Sequence, residues 1–176
     1  MNLLYTVAYP EIGAADREFI EAFRLEHDPS ASAMIRAHFT LLFGTHAVAE
    51  ADYLAHVATV AARTQTINFC CRYAMLGSDC HNETAYMFLV PEEGFSALSR
   101  LHDALYTGPL APHLRLDVPY VPHITIGTLV SQEAAKQLCD SLNAGGVHIA
   151  GMVGELQVGT MQADGFQQLG SFKLKT

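Results

Sequence analysis

The segment Tyr5-Thr6-Val7-Ala8-Tyr9-Pro10-Glu11-Ile12-Gly13 returns 81 residues later as Tyr86-Met87-Phe88-Leu89-Val90-Pro91-Glu92-Glu93-Gly94, with Tyr, Pro, Glu and Gly in register. Each copy is followed by a helix-like stretch and then by an apolar, strand-like stretch that contains His-x-Thr. In the first it is Ala37-His38-Phe39-Thr40-Leu41-Leu42-Phe43-Gly44; in the second, Tyr120-Val121-Pro122-His123-Ile124-Thr125-Ile126-Gly127. The two histidines are 85 positions apart. The extra residues fit in the loop that carries Pro109, Pro112 and Pro119. A repeat on this scale dictates architecture before any single element does. It predicts one domain of two pseudo-repeats, about 1–80 and 84–176, each running strand, helix, His-x-Thr strand, helix, strand, with one strand extra in the second. Halves related in this way pack around a pseudo-two-fold axis, which would set the His-x-Thr strands facing each other across a cleft.

The element signals agree with that order. Residues 3–9 read as a strand and 10–13 as a turn. From an N-cap near Asp16, the residues Phe19, Ile20 and Phe23 fall at helical spacing until His27-Asp28-Pro29. A second helix is predicted over 49–63, with Tyr53, Leu54, Val57, Val60 and Ala61 on one side. Residues 66–76 read as extended, closing at Gly77-Ser78-Asp79. The helix over 96–106 carries Leu98, Leu101 and Leu105, and Ser131 caps another that ends at Asn143-Ala144-Gly145-Gly146. Residues 147–161 and 166–175 read as a final pair of strands around Ala163-Asp164-Gly165, with Lys173 and Lys175 on the solvent face.

Half of the 176 residues are hydrophobic, enough to bury a sizeable core. The formal net charge is −8, with ten basic residues, three of them lysine. Long nucleic-acid tracks are neutralised by Lys and Arg, so this balance argues for one or a few phosphates in a focused pocket. The start of the chain has no basic region, and Pro10 stops its apolar run, so neither a signal peptide nor a membrane span is expected. Cys70, Cys71, Cys80 and Cys139 fall inside strand-like or helix-like segments and read as reduced thiols of a cytoplasmic protein. A zinc site from Cys70, Cys71, Cys80 and His81 is disfavoured, because adjacent strand cysteines point to opposite faces and no Cys-x-x-Cys is present.

Two residues apart on a strand, His and Thr share a face, while Phe39, Leu41, Ile124 and Ile126 point the other way into a core. One such motif is a weak signal. Two converging on one site supply metal-free phosphodiester chemistry. With an ordinary pKa near ~6.5, one imidazole can be neutral and accept a proton while the other is charged and donates one. Each threonine hydroxyl can donate to a non-bridging phosphate oxygen. A metal hydrolase would want nearby carboxylates or a His-Glu-x-x-His helix, and neither is there. No cofactor or metal is expected. Arg36 shares the face of His38, Tyr120 offers an aromatic ring for a base, Tyr5 and Tyr86 are repeat-equivalent candidates to flank the cleft, and Arg115 is a candidate phosphate contact from the Pro-rich loop. His27, His46, His56, His81, His102, His113 and His148 have no such partner and read as surface or scaffold.

On His38-Phe39-Thr40-Leu41, on Tyr120-Val121-Pro122-His123-Ile124-Thr125-Ile126 and on their spacing, the chain resembles the 2H phosphoesterases, which include the bacterial 2'-5' RNA ligase-like proteins and cyclic nucleotide phosphodiesterases. The resemblance implies a bilobal α+β fold, two antiparallel sheets lining a central cleft with helices outside. It implies metal-independent opening of 2',3'-cyclic phosphates or similar cyclic phosphodiesters. His38 and His123 match the acid and base pair, and Thr40 and Thr125 the phosphate-binding hydroxyls; which histidine is the acid stays open. RNA-acting relatives often carry basic residues just after the second motif, where this chain has Gly127-Thr128-Leu129-Val130. The expectation is therefore a monomeric cyclic phosphodiesterase for a small cyclic nucleotide or a short RNA end. A 2'-5' RNA ligase-like activity and a non-catalytic binding module for nucleotides or RNA ends are the alternatives.

Overall fold

The structure is a computed structural model and describes residues 3–78 and 84–176. Met1, Asn2, Asp79, Cys80 and His81 lie outside the described residues. Its elements run β1 (Leu4–Ala8), β2 (Glu11–Ile12), α1 (Ala14–His27), α2 (Pro29–Met34), β3 (Phe39–Thr45), α3 (Glu50–Ala61), β4 (Ile67–Ser78), β5 (Ala85–Glu93), α4 (Phe95–Leu105), a 3-10 turn (Gly108–His113), β6 (Ile124–Leu129), α5 (Gln132–Ala144), β7 (Ile149–Val153), β8 (Glu155–Gln162) and β9 (Gly165–Lys173).

The expected pair of sheets is instead one curled antiparallel sheet of nine strands, ordered β2-β7-β4-β5-β6-β3-β1-β8-β9. The physical reason is a single pairing at its centre. Phe39, first in β3, pairs with Ile124, first in β6, and so joins what would otherwise be two sheets. Outward from that contact each side uses a strand from the other end of the chain. Strand β4 pairs with β5, and β8 pairs with β1. Neither the first nor the second half of the sequence closes its part of the sheet alone.

The helices lie behind the sheet, and their apolar faces explain why. Leu98, Leu101 and Leu105 of α4 and Tyr53, Val57 and Ala61 of α3 are buried, together with Ile20 of α1 and Ala135 and Cys139 of α5. Helix α1 packs on β6 and α4 on β3, so the two central strands are each backed by a helix. Burying a Leu-sized side chain is worth about 1.5–3 kcal/mol, which makes this layer the main anchor of the central strands.

Two local readings change. The break at His27-Asp28-Pro29 ends α1 as read, but a further short helix, α2, starts on Pro29, since a proline is tolerated at a first helical position. The run 147–161 is two strands, β7 and β8, separated at Gly154. Gly94 has φ +87°, and a Cβ there would come 2.5 Å from the Asn68 carbonyl oxygen, so this turn into α4 needs glycine. Gly13 has φ −56° and caps α1 without that requirement. Among the described residues no helix is long and apolar enough to cross a membrane.

Candidate active site

The burial pattern follows the alternation read from the sequence. Phe39, Leu41, Ile124 and Ile126 are buried, whereas His38, Thr40, His123 and Thr125 are half-buried on the opposite face. His38 and His123 each stand immediately before their strand. Carried one residue each way, the Phe39–Ile124 register sets His38 opposite Thr125 and Thr40 opposite His123. The four side chains thus form a square with the histidines on one diagonal, a separation of about 7–8 Å in a regular ladder. His123 is among the charges that act on His38.

Both rings are held the same way. His38 Nδ1 lies 2.8 Å from the Arg36 carbonyl oxygen, and His123 Nδ1 lies 2.6 Å from the Val121 carbonyl oxygen. A carbonyl only accepts, so in each ring Nδ1 carries a proton and donates it. In the neutral ring, Nε2 is then the acceptor, which is the tautomer a general base needs. Burial lowers the pKa of His38 to about 4, against the raising effect of its bond to Arg36. Burial also lowers that of His123. Burial thus disfavours a charge on both imidazoles, and a bound anion is what favours protonating one of them.

Aromatic rings frame the pair. Phe88 of β5 stands opposite Thr125, and its ring centroid is 3.9 Å from that of His123. Tyr86 stacks on Phe88 at 6.0 Å, so it reaches the site through that ring. On the other side Tyr9 meets His38 edge-on at 6.3 Å, and the Arg36 guanidinium lies 4.3 Å from the Tyr9 ring centroid. Tyr5, equivalent to Tyr86 in the repeat, has another use. Its ring crosses β3 over Gly44, where a Cβ would come 2.4 Å from its Cζ. Tyr120 stacks on the buried His102 at 3.7 Å and donates its hydroxyl to the Thr40 carbonyl oxygen at 3.1 Å. One face of its ring is thus covered, and its hydroxyl ties the second motif to the first.

Arg115 is not placed beside the square. It holds Asp117 through two bonds of 2.7 and 2.6 Å and borders a pocket of ≈ 320 Å³ with Phe43, Gly44, Tyr106 and His113, at the far end of β3. A separate hollow of ≈ 370 Å³, bordered by Asp16, Phe19, Leu142 and His148, includes none of the motif residues. Among the described residues no group of three His, Cys, Asp or Glu is placed to hold a metal ion. Sequence reasoning missed Phe88, Tyr9 and the buried Arg24. Phe88 had a signal, since it is two residues from Tyr86 and so on the same face; Arg24 had one too, four residues after Ile20 at a core position of α1.

Residues 10–165 match the model of the 2'-5' RNA ligase superfamily. The chain belongs to that superfamily. As a 2H phosphoesterase it shares its fold with solved relatives along nearly its whole length. Escherichia coli LigT complexed with 3'-AMP superposes with a TM-score of 0.59 at 20% identity, covering 99% of both chains. A structure described as a phosphoesterase gives 0.58 at 17%, covering all of both chains. Kluyveromyces marxianus Usb1 gives 0.54 at 12%, covering 96% of this chain and 97% of its own. No curated protein matches by sequence.

Proposed function

We propose that this 2H phosphoesterase opens a small cyclic phosphodiester, a 2',3'-cyclic nucleotide or the cyclic end of a short RNA, by two-histidine acid–base catalysis without a metal. The observation that carries this reading is the square of His38, Thr125, His123 and Thr40, with both imidazoles presenting Nε2. A phosphate seated on it has a proton acceptor on one corner, a donor on the diagonal one, and two hydroxyls between. The neutral Nε2 takes a proton from water as its oxygen bonds to phosphorus. The bond to the 2' or 3' oxygen breaks, and the protonated partner gives that oxygen its proton, leaving a phosphomonoester.

The central Phe39–Ile124 contact and the matching strands on either side support reading the chain as one domain of two pseudo-repeats. Relatives also point to nucleotides: Escherichia coli LigT has been crystallised with 3'-AMP, with ATP and with phosphate. A nucleoside 3'-phosphate is the kind of product that opening a 2',3'-cyclic phosphate yields.

The test is hydrolysis of a 2',3'-cyclic nucleotide in excess chelator. His38→Ala and His123→Ala should each lower turnover by about 10²–10⁴-fold. Full activity in both variants, or activity abolished by chelation, would rule the mechanism out. Binding without turnover in the wild type would leave a capture module.

A further inference from the structure

Among the described residues Arg24 is the largest side chain with almost no exposure, at 2%, and it sits on α1 beside the backbone that leads into the first motif. Its Nη1 holds the Glu21 carboxylate at 2.8 Å, and its Nη2 donates to the Ile35 carbonyl oxygen at 2.7 Å. The other Glu21 oxygen accepts from the Ala37 backbone N–H at 2.8 Å. These two bonds clamp the backbone on either side of Arg36, the residue whose carbonyl holds His38 Nδ1. Arg24 Nε is buried without a hydrogen-bond partner. An unmatched donor in the interior is costly, about 1–3 kcal/mol, so packing alone does not account for an arginine here. The corresponding carbonyl of the second motif, that of Val121, sits in the tract that Tyr120 ties down with an uncharged hydroxyl.

Resting on the phosphodiesterase reading, we infer that Arg24 and Glu21 are a positioning pair for His38. They fix the carbonyl that orients its ring and set an ion pair in the backbone that leads into it, whose two ends act on a charge at His38 in opposite directions. The charged and titratable groups around His38 are Arg24 and Glu21 from α1, Tyr9 just after β1, Arg36 just before it and His123 of the second motif. Arg24 and His123 oppose a charge on His38 and Glu21 favours one, whereas the charge of Arg24 is not among the influences on His123.

The two ends of the ion pair must then act in opposite directions, which a merely structural role does not predict. The experiment follows the imidazole carbon-bound protons of His38 and His123 by NMR as pH is varied, assigned with His38→Gln and His123→Gln. Arg24→Gln should move the His38 midpoint up and Glu21→Gln should move it down, with His123 unmoved in both. Arg24→Lys keeps the charge and loses the fork; its His38 midpoint should stay while kcat falls by up to about 10²-fold with KM little changed. Shifts of the same sign in the two neutral variants, no shift, or an equal shift of His123 overturns the inference. If Arg24→Gln does not fold, the downward shift in Glu21→Gln decides alone, and its absence overturns it. The titration needs no turnover, so it stands or falls separately from the hydrolysis assay.

Discussion

The Phe88 ring lies against the His123 imidazole, with centroids 3.9 Å apart and planes tilted by 34°. Room for it comes from the neighbouring strand: a Cβ on Gly77 would come 2.2 Å from a Phe88 ring carbon. The ring keeps water from one face of His123, and burial is the cause that lowers its pKa. Phe88→Ala readmits water, so the His123 midpoint should rise toward the ordinary value. Gly77→Ala leaves Phe88 in the sequence but displaces its ring, and should shift the midpoint the same way. An unchanged His123 titration in both variants would show that other groups keep this imidazole neutral.

Stability should depend on pH through the same histidines. His38 has a folded pKa of about 4 against an ordinary 6.5, and burial also lowers His123 and His102. Between those two values the unfolded chain binds a proton at His38 that the folded chain refuses, and His123 and His102 act in the same direction. The slope of unfolding free energy against pH is then positive: stability falls as pH drops through about 6.5, and the His38 contribution to that fall ends near 4. Urea midpoints measured from pH 7 to pH 4 should show the decline, and His38→Gln should make it shallower. A variant curve parallel to the wild type would contradict the assignment for His38.

The face of each motif was legible in the sequence because alternation on a strand is a local property: Phe39, Leu41, Ile124 and Ile126 are buried as their spacing demands. So were the helices that carry Leu98, Leu101 and Leu105 or Tyr53 and Val57, whose 3.6-residue periodicity is equally local. The sheet count was not legible, since joining two sheets into one depends on a single pair, Phe39 with Ile124, 85 positions apart. The exchange of β4 and β8 between the two sides is likewise a matter of long-range pairing. Arg24 was overlooked because a charged residue on a helix is ordinarily solvated; only the fold shows Ile35 and Ala37 wrapped around its ion pair.

Tyr120 offers a test of how the two motifs are kept in register. Its hydroxyl bonds to the Thr40 carbonyl oxygen at 3.1 Å while its ring stacks on His102. Tyr120→Phe keeps the stack and removes the bond. It should cost about 0.5–1.5 kcal/mol in denaturant unfolding. Turnover should fall more than that stability change alone accounts for, since Thr40 stands opposite His123. Wild-type kcat in this variant would mean that the central Phe39–Ile124 pairing holds the register unaided.

The threonines should matter to the reaction and little to the fold. Thr40 and Thr125 are half-buried on the face opposite the core, and valine keeps their branched shape in a strand while deleting the hydroxyl. If each hydroxyl donates to the phosphate as charge builds on its oxygens, Thr40→Val and Thr125→Val should each lower kcat by up to about 10²–10³-fold. Inorganic phosphate should inhibit both variants more weakly than the wild type. Their unfolding midpoints should stay close to wild type, because neither hydroxyl faces the core. Because the square sets each threonine opposite one histidine, the hydroxyls act on the same phosphate as the acid and base. Adding Thr125→Val to His38→Ala should therefore cost less than it does alone, and full additivity would place Thr125 outside the catalytic unit.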